Sequence, residues 1–306
     1  MDSSAAIAEL RSPARLEDAL DLLAQGAWQP LAGGTDIYPT HVGRSFKRPL
    51  VDVSSLTCLQ GMGVVQIGQR QMFRIGATET WTRLRETSLP VGLHALGQAA
   101  AEIGGRQVQN QGTLGGNLCN ASPAADGVPV LLALDAEVEL QSRRALRRMP
   151  IADFVLGNRR TALAADELLT AIHVPMGSTR ARSAFLKLGH RRFLVISIAM
   201  VAVAIDCDAG GRLTRCAIAV GSCSAVARRL SSLESSLVGI AIDQAPEHAI
   251  RALAQNGSDL LSLLAPIDDV RGSARYRLRA VEELIPRALA QAVSAATASE
   301  MSAKGY

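Results

Sequence analysis

The chain has 306 residues, of which 48% are hydrophobic and 20% are charged, and its formal net charge is +4. This balance is typical of a globular protein and excludes a disordered chain, while the length allows two or three domains. The charge is too small over this length to indicate nucleic-acid binding. Aromatic residues, at 3%, are too few for the stacking surfaces that hold single-stranded nucleic acid.

The five cysteines form no C-x-x-C pair and no set with iron–sulfur spacing, so we expect no cluster on this chain. Their odd number, with an N-terminus that lacks the basic start and apolar core of a signal peptide, indicates reduced thiols in the cytoplasm. The longest apolar stretch, residues 193–205, is too short to span a membrane. The histidines show no metal-ligand spacing, and no nucleophile–base pair can be read from the sequence.

The first predicted elements surround a glycine loop. Ser12-Pro13 and the apolar spacing that follows predict a capped helix, which ends before Gly26. A strand and the loop LAGGTD, at 31–36, come next. Short strands are then predicted at 50–53 and 73–77, followed by helices at 80–86 and 89–103.

A second glycine-containing stretch, at 106–135, is the most informative part of the sequence. Its polar loop contains Thr113, Gly115, Gly116 and Asn117. We expect successive backbone N–H groups in this loop to approach an anion, because glycines place no Cβ in the way. Asp126 follows, close to the expected start of a helix through 128–134. Two such loops suit a diphosphate held between two lobes better than a single nucleotide phosphate.

Neither loop matches the G-x-G-x-x-G or G-x-x-x-x-G-K-[ST] pattern, so a Rossmann or P-loop site is not indicated.

Residues 138–140 begin a predicted edge strand. The breakers Pro175, Gly177 and Ser178 place a domain boundary near 176–182. Beyond it, antiparallel strands are predicted at 184–188, 196–206 and 213–220, with a tight turn at 208–211, and a helix is predicted at 276–296.

Basic residues cluster at one place, which contains Arg143, Arg144, Arg147 and Arg148. Such a run is typical of a solvated turn between strands. A surface for an acidic partner protein is the alternative interpretation.

On these motifs the sequence resembles the flavoprotein (medium) subunit of the molybdenum hydroxylases, the family of carbon monoxide dehydrogenase, nicotinate-type dehydrogenases and the FAD domain of xanthine dehydrogenase. LAGGTDIYP resembles the first FAD loop of the family, and QNQGTLGGNLCNASPAADGVPVLLALDAEVEL resembles the second. IADFVLGNRRTALAADELLTAIHVP resembles the segment that closes the flavin domain. AFLKLGHRR and IDDVRGSARYRLR resemble the start and end of the C-terminal domain, so the resemblance covers nearly the whole chain.

The resemblance implies an α+β fold with two domains. A two-lobed FAD-binding domain of the vanillyl-alcohol-oxidase/p-cresol-methylhydroxylase type is expected at 1–177, with lobes at about 1–57 and 58–177. A smaller α/β C-terminal domain with an antiparallel sheet is expected at 180–296.

The resemblance also implies which residues contact FAD. At the diphosphate and neighbouring groups it places Ala32, Gly33, Gly34, Thr35 and Asp36, and Thr113 to Asn117 complete the cradle. Asp126 is expected to bind a ribityl or ribose hydroxyl, with a solvated helix-terminal carboxylate as the alternative.

Three further positions are carried over from the family. Ile37 and Leu169 align with apolar positions near the flavin ring, where a plain core role is the alternative. Lys187 aligns with a lysine that reaches the flavin from the C-terminal domain, where it would stabilise negative charge on the reduced ring. An exposed strand lysine is the alternative for that position.

The chain departs from the family at Gln109 and Gln111, in a stretch where an arginine commonly precedes the asparagine. Any charge role of that arginine is therefore open here, with Arg106 as a possible substitute. Cys119 lies directly after the cradle. A redox role and simple packing are both open for this cysteine, and packing is the more common role of a lone thiol.

The resemblance implies an electron-transfer subunit. FAD on this chain would take electrons from the [2Fe-2S] clusters of a small subunit and pass them to NAD, oxygen or a quinone. A large subunit with molybdenum-molybdopterin would hydroxylate the substrate, and the complex is expected to be a dimer of heterotrimers. A free-standing FAD-dependent oxidase or dehydrogenase and a non-catalytic assembly subunit with a decayed flavin site are the alternatives.

Overall fold

The computed structural model describes residues 9–191 and 195–303. The expectations for the first eight residues, and for the beginning of the apolar stretch at 193–205, therefore lie partly outside the described residues. The described chain forms two lobes and a C-terminal domain that shares a hydrophobic core with the second lobe.

The first lobe is built on a small parallel sheet. Its strands are β1 (Leu10–Arg11), β2 (Gln29–Leu31) and β3 (Leu50–Asp52), in the order β1-β3-β2. Helix α1 (Leu16–Ala24) buries Leu20 and Leu23 against this sheet, and the short helix α2 (Ile37–Thr40) follows the first glycine loop. The predicted cap of α1 is wrong: the N-cap residue is Arg15, which makes no side-chain capping bond.

The second lobe surrounds a five-stranded antiparallel sheet of order β4-β5-β10-β6-β7. The strands from β4 to β10, including the separate hairpin β8–β9, are Met62–Ile67, Arg70–Gly76, Glu137–Gln141, Leu146–Pro150, Val155–Gly157, Arg160–Thr161 and Leu168–Pro175. The helices from α3 to α8 are Trp81–Glu86, His94–Glu102, Arg106–Gln111, Leu114–Asn120, Gly127–Ala133 and Ile151–Phe154. The predicted edge strand at 138–140 is β6, which lies inside the sheet because the hairpin partner β7 covers it.

The C-terminal domain contains the predicted antiparallel sheet, and its own helices pack on one face of it. Its strands, β11 to β14, are Arg182–Leu188, Ala199–Cys207, Leu213–Gly221 and Arg228–Arg229, and they lie in sequence order. Its helices, α9 to α11, are Ser231–Leu237, Ala245–Leu260 and Ala274–Ala303. Single 3-10 turns lie at Thr57–Leu59, Val91–Leu93, Ser178–Arg180 and Ile242–Gln244.

The two faces of this C-terminal sheet belong to different hydrophobic cores. Ala202, Ala204 and Ala217 belong to the core shared with the second lobe, whereas Val203 and Ile218 belong to the core under the C-terminal helices. Successive side chains of a strand point to opposite faces, and small alanines allow close approach. Helices α4 and α7 of the second lobe pack on strands of this sheet, which brings β11 beside the second glycine segment.

Arginines of the C-terminal sheet cap the end of α7. Arg215 Nη2 donates to the carbonyl oxygen of Ala133 at 2.7 Å, and Arg229 Nη1 donates to that of Leu132 at 3.2 Å. Both guanidinium groups also contact the carboxylate of Asp135, at 2.6 and 2.8 Å. Cations at a helix C-terminus are favourable, so these contacts hold the two domains in a defined arrangement.

A buried polar cluster lies on the face of the five-stranded sheet opposite Val138 and Leu140. Glu139 accepts hydrogen bonds from Arg148 Nη2 at 2.6 Å and Thr170 Oγ1 at 2.9 Å, and His173 Nε2 lies 3.2 Å from it. Burial raises the pKa of Glu139, but the hydrogen bonds from His173, Thr170 and Arg148 outweigh burial and lower the pKa to about 2.

Candidate functional site

The two glycine segments lie against each other. A Cβ atom at Gly33 would stand 1.7 Å from the carbonyl oxygen of Gln111 and 3.1 Å from Cα of Gly112. A Cβ at Gly112 would in turn stand 3.4 Å from Oγ1 of Thr35. Only a residue without a Cβ allows this approach at position 33, so the glycine of the first loop brings both segments into one site.

The first loop offers unused backbone donors. Among the described residues, no N–H group from Ala32 to Asp36 donates to a protein acceptor. Gly34 has a φ of +67°, and a Cβ there would meet the Tyr38 ring at 2.3 Å. This backbone conformation turns the loop sharply before α2, and it leaves successive N–H groups available to an anion.

The second segment is more helical than the sequence indicated. Thr113 caps α6 through a 3.0 Å bond from the Gly116 N–H to its Oγ1, so Gly115 and Gly116 lie in the first turn of a helix. The N–H groups of Leu114, Gly115 and Asn117 also donate within the protein. The prediction that this stretch presents successive free N–H groups to an anion is therefore wrong, because helix formation and the contact with 77–79 already use these donors.

Polar side chains replace those donors in the second segment. Asn117 Oδ1 is buried and has no hydrogen-bond partner among the described residues. A Cβ at Gly127 would stand 2.9 Å from that same oxygen, so a glycine makes room for the amide. A buried acceptor without a partner is costly, which makes Asn117 Oδ1 a position for a ligand hydroxyl group.

A buried charged pair joins the two domains at this site. Asp126, which precedes α7, is 6% exposed, and its Oδ2 accepts from Lys187 Nζ of β11 at 3.0 Å. Lys187 Nζ also donates to the carbonyl oxygen of Glu102 at 3.0 Å, and Ser197 Oγ donates to Asp126 Oδ1 at 2.6 Å. The structure thus places Asp126 away from solvent and Lys187 inside the protein, and not on an exposed strand surface.

Opposing effects act on the carboxyl group of this pair. Burial raises the pKa of Asp126, while the Lys187 ammonium and the Ser197 hydroxyl lower it, and burial is the largest of these effects. The Lys187 side chain is 2% exposed, so solvent screens the attraction only weakly. An ammonium group has three donors, and contacts with the described residues use two of them, so one N–H of Lys187 is assigned to a ligand.

A cavity of about 300 Å³ lies next to Lys187. Its lining residues are Glu102, Lys187, Leu188, Gly189 and Arg191. The cavity and the remaining donor of Lys187 therefore occur at the same place, at the border between the two domains.

Arg159 joins the site although the sequence analysis did not single it out. Its Nη1 lies 3.0 Å from Asp36 Oδ2, and its backbone N–H donates to the carbonyl oxygen of Ala121 at 3.0 Å. The pair is largely exposed, so it orders the first loop more than it stabilises the fold.

Ser197 was also missed as a site residue. Its only sequence signal was a hydroxyl within an otherwise apolar stretch.

Other predicted positions make none of these polar contacts. Leu169 is 3% exposed and belongs to the hydrophobic core of the second lobe. Ile37 is half-buried at the start of α2. Gln109 caps the end of α4 through bonds to the carbonyl oxygens of Ala101 and Ile103. Arg106 contacts Glu86 at 3.3 Å.

Cys119 is a packing residue in this structure. Cys119 is half-buried and packs against the hydrophobic core of the second lobe, and burial raises the pKa of its thiol to about 12. A thiol with this pKa stays protonated at neutral pH and is a poor nucleophile.

The basic cluster at 143–148 has partners within the chain. Its arginines pair in order with Asp21, Asp166, Glu167 and Glu139. Arg143 and Arg144 lie in the turn between β6 and β7, as predicted, whereas Arg147 and Arg148 lie in β7, so the prediction of a solvated turn is wrong for these two. Within the described ranges, no group of three acidic, histidine or cysteine side chains is arranged to hold a metal ion, and no helix is long and apolar enough to cross a membrane.

Two family models together match most of the chain. The model described as the FAD binding domain in molybdopterin dehydrogenase matches residues 6–177. The model described as the CO dehydrogenase flavoprotein C-terminal domain matches residues 184–292.

Individual relatives agree with these matches. The chain is 33% identical over 240 residues to the nicotinate dehydrogenase FAD-subunit of Eubacterium barkeri, covering 76% of this chain and 79% of that protein. It is 31% identical over 287 residues to the xanthine dehydrogenase FAD-binding subunit of Escherichia coli O157:H7, covering 92% and 95%.

The fold also matches solved structures. The reconstituted CO dehydrogenase from Oligotropha carboxidovorans contains a chain that superposes with a TM-score of 0.82 at 28% identity, covering 94% of this chain and 98% of that one. The resemblance in sequence therefore extends to the arrangement of both domains. The chain belongs to the FAD-binding (medium) subunits of the molybdenum hydroxylases, oxidoreductases of the xanthine dehydrogenase family.

Proposed function

We propose that this chain is the electron-transfer subunit of a molybdenum hydroxylase, in which FAD takes electrons from the [2Fe-2S] clusters of a small partner subunit and passes them to an external acceptor. The observation that carries the proposal is the joined site, in which unused backbone donors, an unpartnered buried acceptor and a buried lysine with one remaining donor lie around two packed glycine segments. FAD supplies the exchange between single-electron carriers and a two-electron acceptor.

The first loop is assigned to the diphosphate. The backbone N–H groups of Ala32 to Asp36, which donate to no acceptor within the described part of the chain, are assigned charge-assisted hydrogen bonds to the phosphates, and such bonds are stronger than neutral ones. Gly33 and Gly34 let the loop approach the second segment and turn sharply. Thr113, Gly115 and Gly116 complete this cradle by shaping the start of α6, and their own N–H groups are not assigned to the phosphates.

The polar side chains are assigned to hydroxyl groups and to the ring. Asn117 Oδ1 and Asp126 would accept from ribityl or ribose hydroxyls, because a carboxylate oxygen keeps further acceptor capacity beside its protein bonds. Lys187 would direct its remaining N–H at the ring, where its positive charge favours negative charge on the reduced form. Ile37 is kept as an apolar neighbour of the ring, whereas the core position of Leu169 argues for packing.

The partners are proposed from the family. The relatives bear the names FAD-subunit, medium subunit and medium chain, and one of the similar solved structures is of a Cu,Mo-CO dehydrogenase. We assign hydroxylation of the substrate to a large molybdenum-molybdopterin subunit and the assembly to a dimer of heterotrimers. All five cysteines are free, which suits a reducing cytoplasm. The acceptor is NAD, oxygen or a quinone.

The test is the visible spectrum of the purified chain, with release and identification of any bound flavin. We expect FAD at one per chain. The Gly115→Val variant is expected to lose FAD, because a Cβ at Gly115 would stand 2.7 Å from the carbonyl oxygen of Ala77. Gly63→Val is the matched control, since a Cβ there meets nothing within 4 Å and β-branched residues suit a strand.

The alternatives predict other results. A protein that stays colourless after incubation with FAD would support a decayed site and contradict the proposal. An FAD-loaded chain that oxidises an organic substrate without its partners would support a free-standing oxidase or dehydrogenase. Unchanged flavin content in Gly115→Val would remove the second glycine segment from the site.

A further inference from the structure

The C-terminal motif IDDVRGSARYRLR, at 267–279, contains an arginine to which the proposed function gives no role. Arg277 lies near the start of α11 and is 3% exposed. Arginine is almost never fully buried in a protein unless other groups pair with its charge and accept its hydrogen bonds. The partners of this guanidinium group therefore indicate what it does.

Arg277 holds the ends of two neighbouring strands. Its Nη1 donates to the carbonyl oxygen of Ile198 at 2.5 Å and to that of Ser222 at 3.1 Å. Ile198 directly precedes β12, and Ser222 directly follows β13. The Nη2 of Arg277 donates to Asp269 Oδ1 at 2.6 Å. A planar guanidinium group can hold three such acceptors at fixed angles, whereas an ammonium group cannot.

Asp269 keeps the charge of this arginine balanced. The backbone N–H of Arg271 donates to Asp269 Oδ1 at 2.8 Å, and this bond is the largest effect that lowers the pKa of Asp269. The side chains of Arg277 and Arg271 lower the pKa further, against the effect of burial. Asp269 is therefore a carboxylate at neutral pH and compensates the buried positive charge.

Both strand ends that Arg277 holds contact the second glycine segment. Ser197, the neighbour of Ile198, donates from its Oγ to Asp126 Oδ1 at 2.6 Å. The N–H of Ser222 donates to the carbonyl oxygen of Pro123 at 3.0 Å. The residues at 123–126 thus accept one hydrogen bond from each strand end, and a movement of either end displaces the Asp126 carboxylate.

The backbone of Ser222 shows that this contact is tightly defined. Ser222 has a φ of +63°, which is uncommon for a residue with a Cβ. Its hydroxyl group is buried without a hydrogen-bond partner in the described part of the chain, so the side chain does not stabilise this conformation. The bonds of its N–H to Pro123 and of its carbonyl oxygen to Arg277 hold it instead. Strained conformations persist where surrounding contacts fix them, and they cluster at functional sites.

We propose that Arg277 is a positioning residue of the flavin site, which fixes the Asp126 carboxylate through the backbone at 197–198 and at 222. Through Asp126 it also orients Lys187, whose Nζ lies 3.0 Å from that carboxylate. The proposal rests on the proposed function, in which Asp126 accepts from a hydroxyl group of FAD and Lys187 faces the ring. Arg277 is assigned no contact with FAD.

The first test measures FAD affinity by flavin fluorescence on the FAD-free chain. Arg277→Lys keeps the charge and removes the planar group, and Ser197→Ala removes the hydroxyl group that holds Asp126. Arg215→Lys is the matched control, because Arg215 also joins the two domains through a carbonyl oxygen and a carboxylate. Its contacts are with residues 133–135 and with Asp206.

We expect Arg277→Lys and Ser197→Ala each to weaken FAD binding about ten-fold. The double variant should weaken binding by much less than the product of the two effects, because both changes act on the same carboxylate. Arg215→Lys should lower the temperature of thermal unfolding with little change in FAD affinity. Combined with Ser197→Ala, it should leave the effect of Ser197→Ala unchanged.

The second test needs no flavin. Hydrogen exchange measured by mass spectrometry on the FAD-free chain should be faster at 120–127 and at 195–199 in Arg277→Lys, but not in Arg215→Lys. Asp269→Asn is the second variant, which keeps the guanidinium group and removes its counter-charge. It should change FAD affinity and exchange in the same direction, and it keeps both tests decisive if Arg277→Lys does not fold.

The proposal is overturned if a folded Arg277→Lys chain binds FAD as the wild type does. It is also overturned if the effects of Arg277→Lys and Ser197→Ala simply multiply, because Arg277 then contributes only general stability. Unchanged exchange at 120–127 would overturn it as well. A wild type that binds no FAD would instead contradict the proposed function, and faster exchange in Arg277→Lys would still show that Arg277 holds this segment.

Discussion

Gly33→Ala tests whether contact between the two glycine segments builds the flavin site. The added Cβ would stand 1.7 Å from the Gln111 carbonyl oxygen, whereas real Cβ contacts stay above 3.0 Å, so the segments must separate by at least 1.3 Å. Gly33 does not have a positive φ, and the effect is therefore steric. Crowding of this kind costs about 1–3 kcal/mol of the free energy of unfolding.

The effect on FAD follows from the same movement. Displacement by more than 1 Å removes at least one hydrogen bond to a charged group, worth about 1.5–3 kcal/mol, or roughly 10- to 100-fold in Kd. The Kd is measured by flavin fluorescence and stability by urea unfolding. Gly63→Ala and Gly177→Ala are the controls, because a Cβ at either position meets nothing within 4 Å. A Gly33→Ala protein with wild-type FAD affinity would refute the idea that this contact forms the site.

Three further predictions concern groups outside the glycine segments. Because the pKa of Glu139 is lowered from 4.5 to about 2, its stabilisation is complete above pH 4.5 and is lost as the pH falls towards 2. Glu139→Gln should therefore lower the free energy of unfolding by about 2 kcal/mol at pH 7. This loss should become smaller as the pH falls below 4.5, as measured by urea unfolding at each pH. Asp135→Asn, which suits the positive φ of that position, should remove about 0.5–1 kcal/mol of stability in low salt and nearly nothing in 1 M salt, as measured by thermal unfolding. Alkylation at pH 8 followed by mass spectrometry should label the exposed Cys58 and leave Cys119 unlabelled; rapid labelling of Cys119 in the folded protein would show that its thiol is accessible.

Several features of the site could be predicted because their cause is local. Glycines at 33 and 34 indicated a tight loop, and the helix predicted at 80–86 forms as α3 over Trp81–Glu86, with Thr80 as its N-cap. The strands and the tight turn predicted beyond residue 184 are present in the antiparallel sheet of the C-terminal domain. Turns, helix ends and short apolar strands depend on neighbours in the chain, and the sequence contains these directly.

The role of the second glycine segment could not be predicted in the same way. Its glycines suggested free donors, but whether an N–H is free depends on which carbonyl oxygens lie opposite, and these come from residues 77–79. The acidic partners of Arg106 and of the cluster at 143–148 could not be predicted either, because they lie far away in the chain. The sequence does not distinguish a charged side chain that faces solvent from one that contacts a ligand or a distant carboxylate.

The sequence by itself determined the family, the class of cofactor and the positions of both glycine segments, because motifs of small residues record local geometry. Only the tertiary structure decided that Gly33 meets Gln111, that Lys187 and Ser197 hold Asp126, and that Arg277 holds the backbone beside Ser197. Lys187 and Asp126 are far apart in the chain, and they meet because α7 packs on the alanines of β12 and β13 while α4 packs on β11. The site is built by close packing between segments that are far apart in the chain, and no local sequence pattern encodes such packing.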